Sequence, residues 1–196
     1  MSKRLFELRG LSHLALNSSD MARTVDFYEG RLGIPLIKTL DVPGSNGGQH
    51  FFFDVGCDEC LAFFYFPDMP KREVPVDKGL GGPTPPGLMN HVAFKVSQEN
   101  FDSYRRKLDE LEVKYVYIRH DTDGGYSRDP ADPTNDKTFA LSVYFHDPDD
   151  NVMEFCAWLP AYDQLGRDHE PAGKTAALAT QRPDLVPPGE HSPTAK

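Results

Sequence analysis

Hydrophobic and polar positions follow the same order of elements twice along this chain. Apolar and polar side chains alternate over residues 11–16 and again over residues 89–96, which predicts two short strands. Each strand is followed by a polar helix-start signal and then by apolar side chains at helical spacing, in residues 21–32 and 101–111. The pattern therefore predicts an internal repeat in which each copy begins with a strand and a helix.

Three further strands follow the helix in each copy. Aromatic and β-branched residues mark them at 36–40, 49–55 and 61–66 in the first copy, and at 115–118, 139–145 and 152–159 in the second. Each copy thus has the order strand, helix, strand, strand, strand. The second copy is longer because residues 121–137, rich in Asp, Gly and Pro, predict an inserted loop.

These elements predict an α+β protein built of two paired βαβββ modules. The first module covers residues 8–66 and the second covers residues 89–159. Residues 67–88 are rich in Pro and Gly and predict a linker. Residues 160–196 lose all periodicity, so we expect a C-terminal tail that is partly disordered or wraps the surface.

Composition narrows the classes of partner. The formal net charge is −9, which disfavours a nucleic-acid partner. No apolar stretch approaches the ~20 residues of a membrane span, and the N-terminus has no secretory pattern. The 3 cysteines argue against a disulfide framework, and the lone CxxC of Cys57 and Cys60 predicts a tight turn between strands. We therefore expect a cytoplasmic protein whose partner is a small molecule.

Two histidines and one glutamate are the candidate metal ligands. His13 and His91 occupy equivalent places in the first strand of each module, and Glu154 lies within an otherwise apolar last strand. A buried carboxylate needs a compensating charge or a metal. If the modules pack about a pseudo-two-fold axis, the three side chains meet as a facial triad. We therefore predict one divalent metal, with Fe(II) as the first expectation and Mn(II) or Zn(II) as alternatives.

Residues 11–16, 20–33 and 147–154 resemble the vicinal-oxygen-chelate superfamily, which includes glyoxalases, bleomycin-resistance proteins, extradiol dioxygenases, fosfomycin-resistance proteins and epimerases. The resemblance extends over about residues 8–159. It implies that the paired modules form a cupped mixed sheet around a metal site. It also implies a homo-oligomer, a dimer or larger.

Within this superfamily the His13, His91 and Glu154 set looks most like that of extradiol dioxygenases, which bind a catechol and O₂ at Fe(II). Glyoxalase I has a fourth ligand, and Phe63 stands in its place here. Extradiol enzymes also carry a tyrosine ten residues before the glutamate, which hydrogen-bonds a substrate oxygen, and Tyr144 matches that spacing. Because the spacing is even, a regular hairpin register predicts that Tyr144 and Glu154 share a face of the sheet. The same ligand set is similar to that of fosfomycin thiol transferases.

Two histidines typical of the dioxygenases are missing. Asn135 and Asp77 stand where the resemblance leads us to expect them. His50, His120 and His146 are the possible substitutes for the acid–base residue. We rank His120 first because it opens the inserted loop, which we expect to be able to cover the cup.

Three hypotheses remain open. The first is an Fe(II) extradiol-type dioxygenase that cleaves a catechol-like substrate, with Tyr144 orienting an oxygen and His120 as the acid–base residue. The second is a metal-dependent isomerase, lyase or thiol transferase that consumes no O₂. The third is a non-catalytic protein that sequesters a ligand. Aromatic side chains form the pocket wall or the core: Phe53, Phe63, Phe64, Tyr65 and Tyr117.

Overall fold

The computed structural model of this chain describes residues 9–70, 84 and 86–166. The chain divides into two units, Met1–Leu165 and Gly166–Lys196, and only Gly166 of the second unit is among the described residues. Most of the predicted linker at 67–88, most of the predicted tail at 160–196, and Asp77 lie outside them. No helix in the described part is long and apolar enough to cross a membrane.

The first module begins with a strand and a short helix. Its elements are β1 (His13–Asn17), α1 (Met21–Val25), a π-helical segment (Asp26–Arg31), β2 (Leu36–Asp41), β3 (Gln49–Gly56) and β4 (Glu59–Tyr65). Asp20 caps α1 by accepting a hydrogen bond from the backbone N–H of Arg23 at 3.1 Å. The helix expected to continue to residue 32 widens into a π-helix at Asp26, and this places the consecutive residues Phe27 and Tyr28 both in the core.

The second module repeats this order with additions. Its elements are β5 (Val92–Lys95), α2 (Gln98–Glu110), β6 (Tyr115–Asp121), β7 (Tyr126–Ser127), β8 (Thr138–His146), β9 (Val152–Trp158) and a 3-10 helix (Pro160–Gln164). The predicted loop at 121–137 thus contains a short strand, because the turn at Gly124 lets β7 pair back onto β6. The 3-10 helix occupies the start of the predicted tail.

The strands form two separate sheets with corresponding strand orders. The first sheet has the order β1-β4-β3-β2 and the second has the order β5-β9-β8-β6-β7. In each sheet the first strand of the module pairs in parallel with the last strand of the βαβββ unit, and the other pairs are antiparallel. The predicted α+β class with a repeated βαβββ order is confirmed. The CxxC lies where a tight turn was predicted, because Cys57 and Asp58 have φ of 57° and 61° between β3 and β4.

Each sheet has one face in the core and one face turned away from it, which we call its open face. Strand alternation places Phe53, Leu61 and Phe63 of the first sheet in the core, together with Val143, Phe145 and Met153 of the second. The remaining side chains, which include His13 on β1 and Glu154 on β9, therefore lie on the open faces.

A buried hydrogen-bond network joins the two modules within one chain. The hydroxyl of Tyr28, which is fully buried, donates to Asp147 Oδ2 at 3.0 Å, and Asn151 and the backbone N–H of Asp149 donate to the same carboxyl. Burial raises the pKa of Asp147, and these hydrogen bonds oppose the rise. Nearby, Arg23 pairs with Asp149 at 2.9 Å.

The first strands of the two modules, β1 and β5, lie in different sheets. Among the described strands, β1 pairs with β4 and β5 pairs with β9, so the two first strands belong to different sheets. The modules of one chain meet through the α1 and π-helical region and the turn before β9. In the described residues, β1 makes its main strand contacts with β4 and β5 makes its own with β9, so the facial triad expected from a pseudo-two-fold packing does not form within one chain.

Candidate metal centre

Glu154 and His91 meet on the open face of the second sheet. Glu154 lies in the middle of β9 and is 4% exposed, and His91 immediately precedes β5. His91 Nε2 lies 3.1 Å from Glu154 Oε2. The parallel pairing of Ala93 with Glu154 accounts for this approach, because His91 shares the face of Ala93 two residues away.

Two further buried groups surround the Glu154 carboxylate. The Ser142 hydroxyl donates to Glu154 Oε1 at 2.5 Å, and Ser142 is 1% exposed. Cys156 lies opposite Ser142 in the β8–β9 register, on the same face. Burial and the Glu154 carboxylate raise the pKa of the Cys156 thiol to about 12, so the thiol stays protonated near neutral pH.

Tyr144 and His120 complete the polar part of this face. Tyr144 is the direct cross-strand partner of Glu154, so the face-sharing predicted from their spacing is present. Burial and the Glu154 carboxylate raise the pKa of Tyr144 to about 12, which keeps its hydroxyl a hydrogen-bond donor. Its oxygen lies 3.5 Å from His120 Nε2. Burial lowers the pKa of His120, while Glu154 and Asp121 oppose the shift.

His13 lies on the open face of the first sheet, away from this cluster. Its ring is edge-on to Phe52, with 6.1 Å between ring centroids. Burial, and after it the electrostatic effect of the nearby His13, lowers the pKa of His50. In the part of the chain that the structure describes, no three His, Cys, Asp or Glu side chains are grouped so as to hold a metal ion. One chain therefore brings together His91 and Glu154 but does not bring His13 to them.

The donor set of the second sheet fits a divalent cation. A carboxylate buried to 4% exposure is unfavourable unless a positive charge compensates it, and one imidazole nitrogen already lies beside one of its oxygens. Imidazole nitrogen and carboxylate oxygen are donors that suit Mn(II), Fe(II) and Zn(II). We call His91 and Glu154 the half-site, since a protein metal centre of this kind needs at least one more ligand.

The first sheet has no counterpart of the Glu154 carboxylate. Glu154 pairs with Ala93, which follows His91 by two residues, and the corresponding partner of Ala15, two residues after His13, is Ala62. By this register Ala62, and not Phe63, holds the place of a fourth ligand. Phe63 is fully buried in the core.

Most of the aromatic side chains considered as a pocket wall belong to the core. Phe53, Phe63 and Tyr117 lie in the buried cluster. Phe64 instead faces outward, where the His50 ring stacks on it with 3.7 Å between centroids and an interplanar angle of 13°. The open face of the first sheet is therefore lined by rings, including Phe52 at 4.2 Å from the His50 ring.

Ser142 and Cys156 escaped the analysis of the sequence. The signal that could have identified them is an even spacing from Glu154. Ser142 stands twelve residues before Glu154 in the same β-hairpin, and Cys156 stands two residues after it. Even spacings place all of them on the Glu154 face once the register is known. Asn135, at the place of the missing dioxygenase histidine, contacts Asp121 at 3.5 Å in the inserted segment.

The sequence matches a known protein family over most of its length. Residues 10–155 match the family model described as Glyoxalase/Bleomycin resistance protein/Dioxygenase superfamily. A curated relative, the metallothiol transferase FosB of Lysinibacillus sphaericus (strain C3-41), is 26% identical over 148 residues, which covers 76% of this chain and 82% of the relative.

Two solved structures have a similar fold. SMU.1112c superposes with a TM-score of 0.54 at 21% identity, covering 76% of this chain and 99% of that one. The glyoxalase family protein from Enterococcus faecalis superposes with a TM-score of 0.53 at 21% identity, covering 76% of this chain and 97% of its own. At this level of identity these likenesses concern the fold alone.

Proposed function

This chain belongs to the Glyoxalase/Bleomycin resistance protein/Dioxygenase superfamily, and we propose that within it the chain is a metal-dependent enzyme that transfers a thiol to a small electrophilic molecule. The observation that carries the proposal is the buried Glu154 carboxylate 3.1 Å from His91, with the Tyr144 hydroxyl on the same face. The curated relative is named a metallothiol transferase, which favours the second of the three hypotheses over ring cleavage.

The third ligand in this proposal is His13 of a second copy. Within one chain, His13 lies beside Phe52 and His50, whereas His91 lies beside Tyr144 and Glu154. Both open faces carry partly exposed rings, among them Trp158 at 39% exposure. A two-fold dimer that places the first sheet of one copy over the second sheet of the other covers both faces and forms two equivalent sites.

The chain's own residues have separate roles in this scheme. A divalent metal, when bound by His13, His91 and Glu154, supplies Lewis-acid stabilisation of negative charge on a substrate oxygen. Tyr144 donates a hydrogen bond from its protonated hydroxyl to that oxygen. His120, whose pKa burial lowers, accepts a proton through the Tyr144 hydroxyl at 3.5 Å and returns it later in the reaction.

The proposed thiol transfer needs no oxidant or reductant. The sulfur of a thiolate forms a bond to the electrophilic carbon of a strained cyclic ether, and the carbon–oxygen bond breaks. The oxygen keeps the electron pair and takes the proton that the thiol released. Rings on the first sheet, such as Phe52 and Phe64, exclude water from the reacting atoms.

Ring cleavage is less well supported. Asn135 stands where the dioxygenase acid–base histidine is expected, and it makes a structural contact with Asp121 in the inserted segment. Fe(II) has no special support over Mn(II) or Zn(II), because all three accept the same donors.

A paired assay tests the proposal. The full chain is loaded separately with Mn(II), Zn(II) and, without air, Fe(II). It is then incubated with fosfomycin and either cysteine or glutathione, and with catechol in an oxygen electrode. We expect a thiol conjugate with at least one metal and no oxygen uptake. Oxygen consumption with catechol and no conjugate from any thiol would overturn thiol transfer in favour of the dioxygenase hypothesis.

A further inference from the structure

We propose that Ser142 is a positioning residue that orients the Glu154 carboxylate for the metal, an inference that rests on the proposed function. Ser142 Oγ lies 2.5 Å from Glu154 Oε1, while Glu154 Oε2 lies 3.1 Å from His91 Nε2. The two carboxylate oxygens thus have different partners. Ser142 holds one of them, and the other is left for the cation.

The strand register places the Ser142 hydroxyl where it can act. Tyr144 is the cross-strand partner of Glu154, and Ser142 lies two residues earlier on β8, diagonally opposite Glu154 on the same face. Both side chains are almost fully buried, at 1% and 4% exposure. A hydrogen bond from a hydroxyl to a carboxylate is strong when water is excluded, so this contact restricts the rotation of the Glu154 side chain.

Restricting that rotation matters because a glutamate has three rotatable bonds before its carboxylate. Ordering a long polar side chain costs conformational entropy, and a contact made in advance removes that cost from metal binding. Groups that hydrogen-bond a metal ligand change metal affinity by about 10–100-fold when they are removed. Ser142 also contacts Tyr144 and Cys156 on this face. We assign it a positioning role because its short hydrogen bond is to the Glu154 carboxylate, through which it acts on the metal.

The chain supplies a matched control on the same strand. The Thr138 hydroxyl is also buried at 1% exposure and also donates to a carboxylate, Asp121 Oδ1 at 2.7 Å, but Asp121 is not in the half-site. Thr138→Val and Ser142→Ala each remove one buried hydroxyl from β8. Any general loss of stability from such a deletion therefore appears in both variants.

The experiment measures Mn(II) affinity by calorimetry and the visible absorption of bound Co(II) in the full-length chain. We expect Ser142→Ala to weaken Mn(II) binding by about 10–100-fold and to alter the Co(II) spectrum. Thr138→Val should change neither, and Ser142→Thr, which restores the hydroxyl, should recover most of the affinity. If Ser142→Ala does not fold, Ser142→Cys, a weaker donor of similar size, should give an intermediate affinity.

Two failures are distinguishable. Unchanged affinity and spectrum in the Ser142 variants, with binding lost in Glu154→Gln, would overturn the role of Ser142 and leave the metal centre standing. Unchanged affinity in Glu154→Gln as well would overturn the metal centre and the role of Ser142 together.

Discussion

The two modules share the strand order of the βαβββ unit, but the open faces of their sheets carry different kinds of side chain. On the second sheet, Glu154 contacts His91 and Ser142. Tyr144 lies beside the His91 ring and 3.5 Å from His120. The first sheet carries His13 among rings and has Ala62 at the place of the glutamate. The two modules thus have the same strand pairing, but the polar side chains of the candidate site, His13 apart, lie on the second sheet. The first sheet is therefore suited to supply one ligand and an apolar wall.

The same contrast appears in the electrostatics of the two faces. Each carries an imidazole whose pKa burial lowers, His50 on the first sheet and His120 on the second. The neighbouring His13 lowers the pKa of His50 further, whereas Glu154 and Asp121 oppose the shift at His120. The groups beside the two imidazoles therefore shift their pKa in opposite directions.

The largest expected effect is on metal binding. Glu154→Ala should abolish stoichiometric metal binding, because it removes the buried carboxylate from the half-site, and the chain should remain folded. Elemental analysis after gel filtration, with circular dichroism, measures both. Glu59, a carboxylate on β4 that accepts from the backbone N–H of Leu11 at 3.0 Å, provides the control. Glu59→Gln should keep its metal, and retained metal in Glu154→Ala would contradict the contrast between the sheets.

Mixing two inactive variants tests whether the sheets of different copies meet. His13→Ala and Glu154→Ala should each lack metal, but random mixing by unfolding and refolding should restore about a quarter of the sites, because half of the two-fold dimers are mixed and each holds one intact site. Metal content and thiol-transfer rate measure the recovery. No recovery in mixed dimers, confirmed by differently tagged chains, would mean that the site does not span copies.

Removing one hydroxyl from the second sheet should slow turnover. Tyr144→Phe should lower kcat by about 100-fold, because the substrate oxygen loses its donor, and should leave metal affinity unchanged. Tyr65→Phe, in a strand of the first sheet, is the control and should leave kcat near the wild-type value. Equal rates for Tyr144→Phe and the wild-type chain would exclude Tyr144 from the reaction.

The junction between the modules should contribute to stability. Tyr28→Phe should lower the free energy of unfolding by about 1–3 kcal/mol, because Asp147 loses a buried donor. Urea denaturation measures the change. Tyr115 also donates to a carboxylate, Asp109 at 3.2 Å, but this contact is exposed, so Tyr115→Phe should cost less than about 0.5 kcal/mol. Equal losses in the two variants would show that burial at the junction adds nothing.

The smallest expected effect is on pH dependence. The folded pKa of His50 and His120 lies below the ordinary value of 6.5, so the unfolded chain takes up these protons first as pH falls. Stability should therefore decline as pH falls through 6.5, and His50→Gln and His120→Gln should each reduce that decline. Denaturation at pH 7.5 and 5.5 compares them. A steeper decline in either variant would reverse the assigned shift.

The local pattern of this sequence predicted much of the fold. Period-two alternation and helical spacing identified the βαβββ order, and even spacing placed Tyr144 on the Glu154 face. These features depend on residues close together in sequence. The separation of β1 and β5 into different sheets depends instead on contacts such as Tyr28 with Asp147, which are 119 residues apart and leave no local signal.

The candidate site divides in the same way. His91 was predicted as a ligand because it repeats the place of His13 in the other module, and Glu154 because a carboxylate is unusual in an apolar strand. Ser142 was missed because a serine in a strand is common and its chemistry depends on the carboxylate that it contacts. The short strand β7 was missed because it pairs with β6 over two residues alone and lies within a Gly- and Asp-rich segment, which predicts a loop.

The π-helical segment Asp26–Arg31 limits which length changes the gene can tolerate. Its wider turn holds one residue more than an α-helical turn would. Loss of a single codon at Asp26 or Phe27 would restore α-helical winding and rotate Tyr28 by about 100° around the helix axis. Its hydroxyl would leave Asp147, so an in-frame deletion there would weaken the junction between the modules while leaving every proposed ligand encoded.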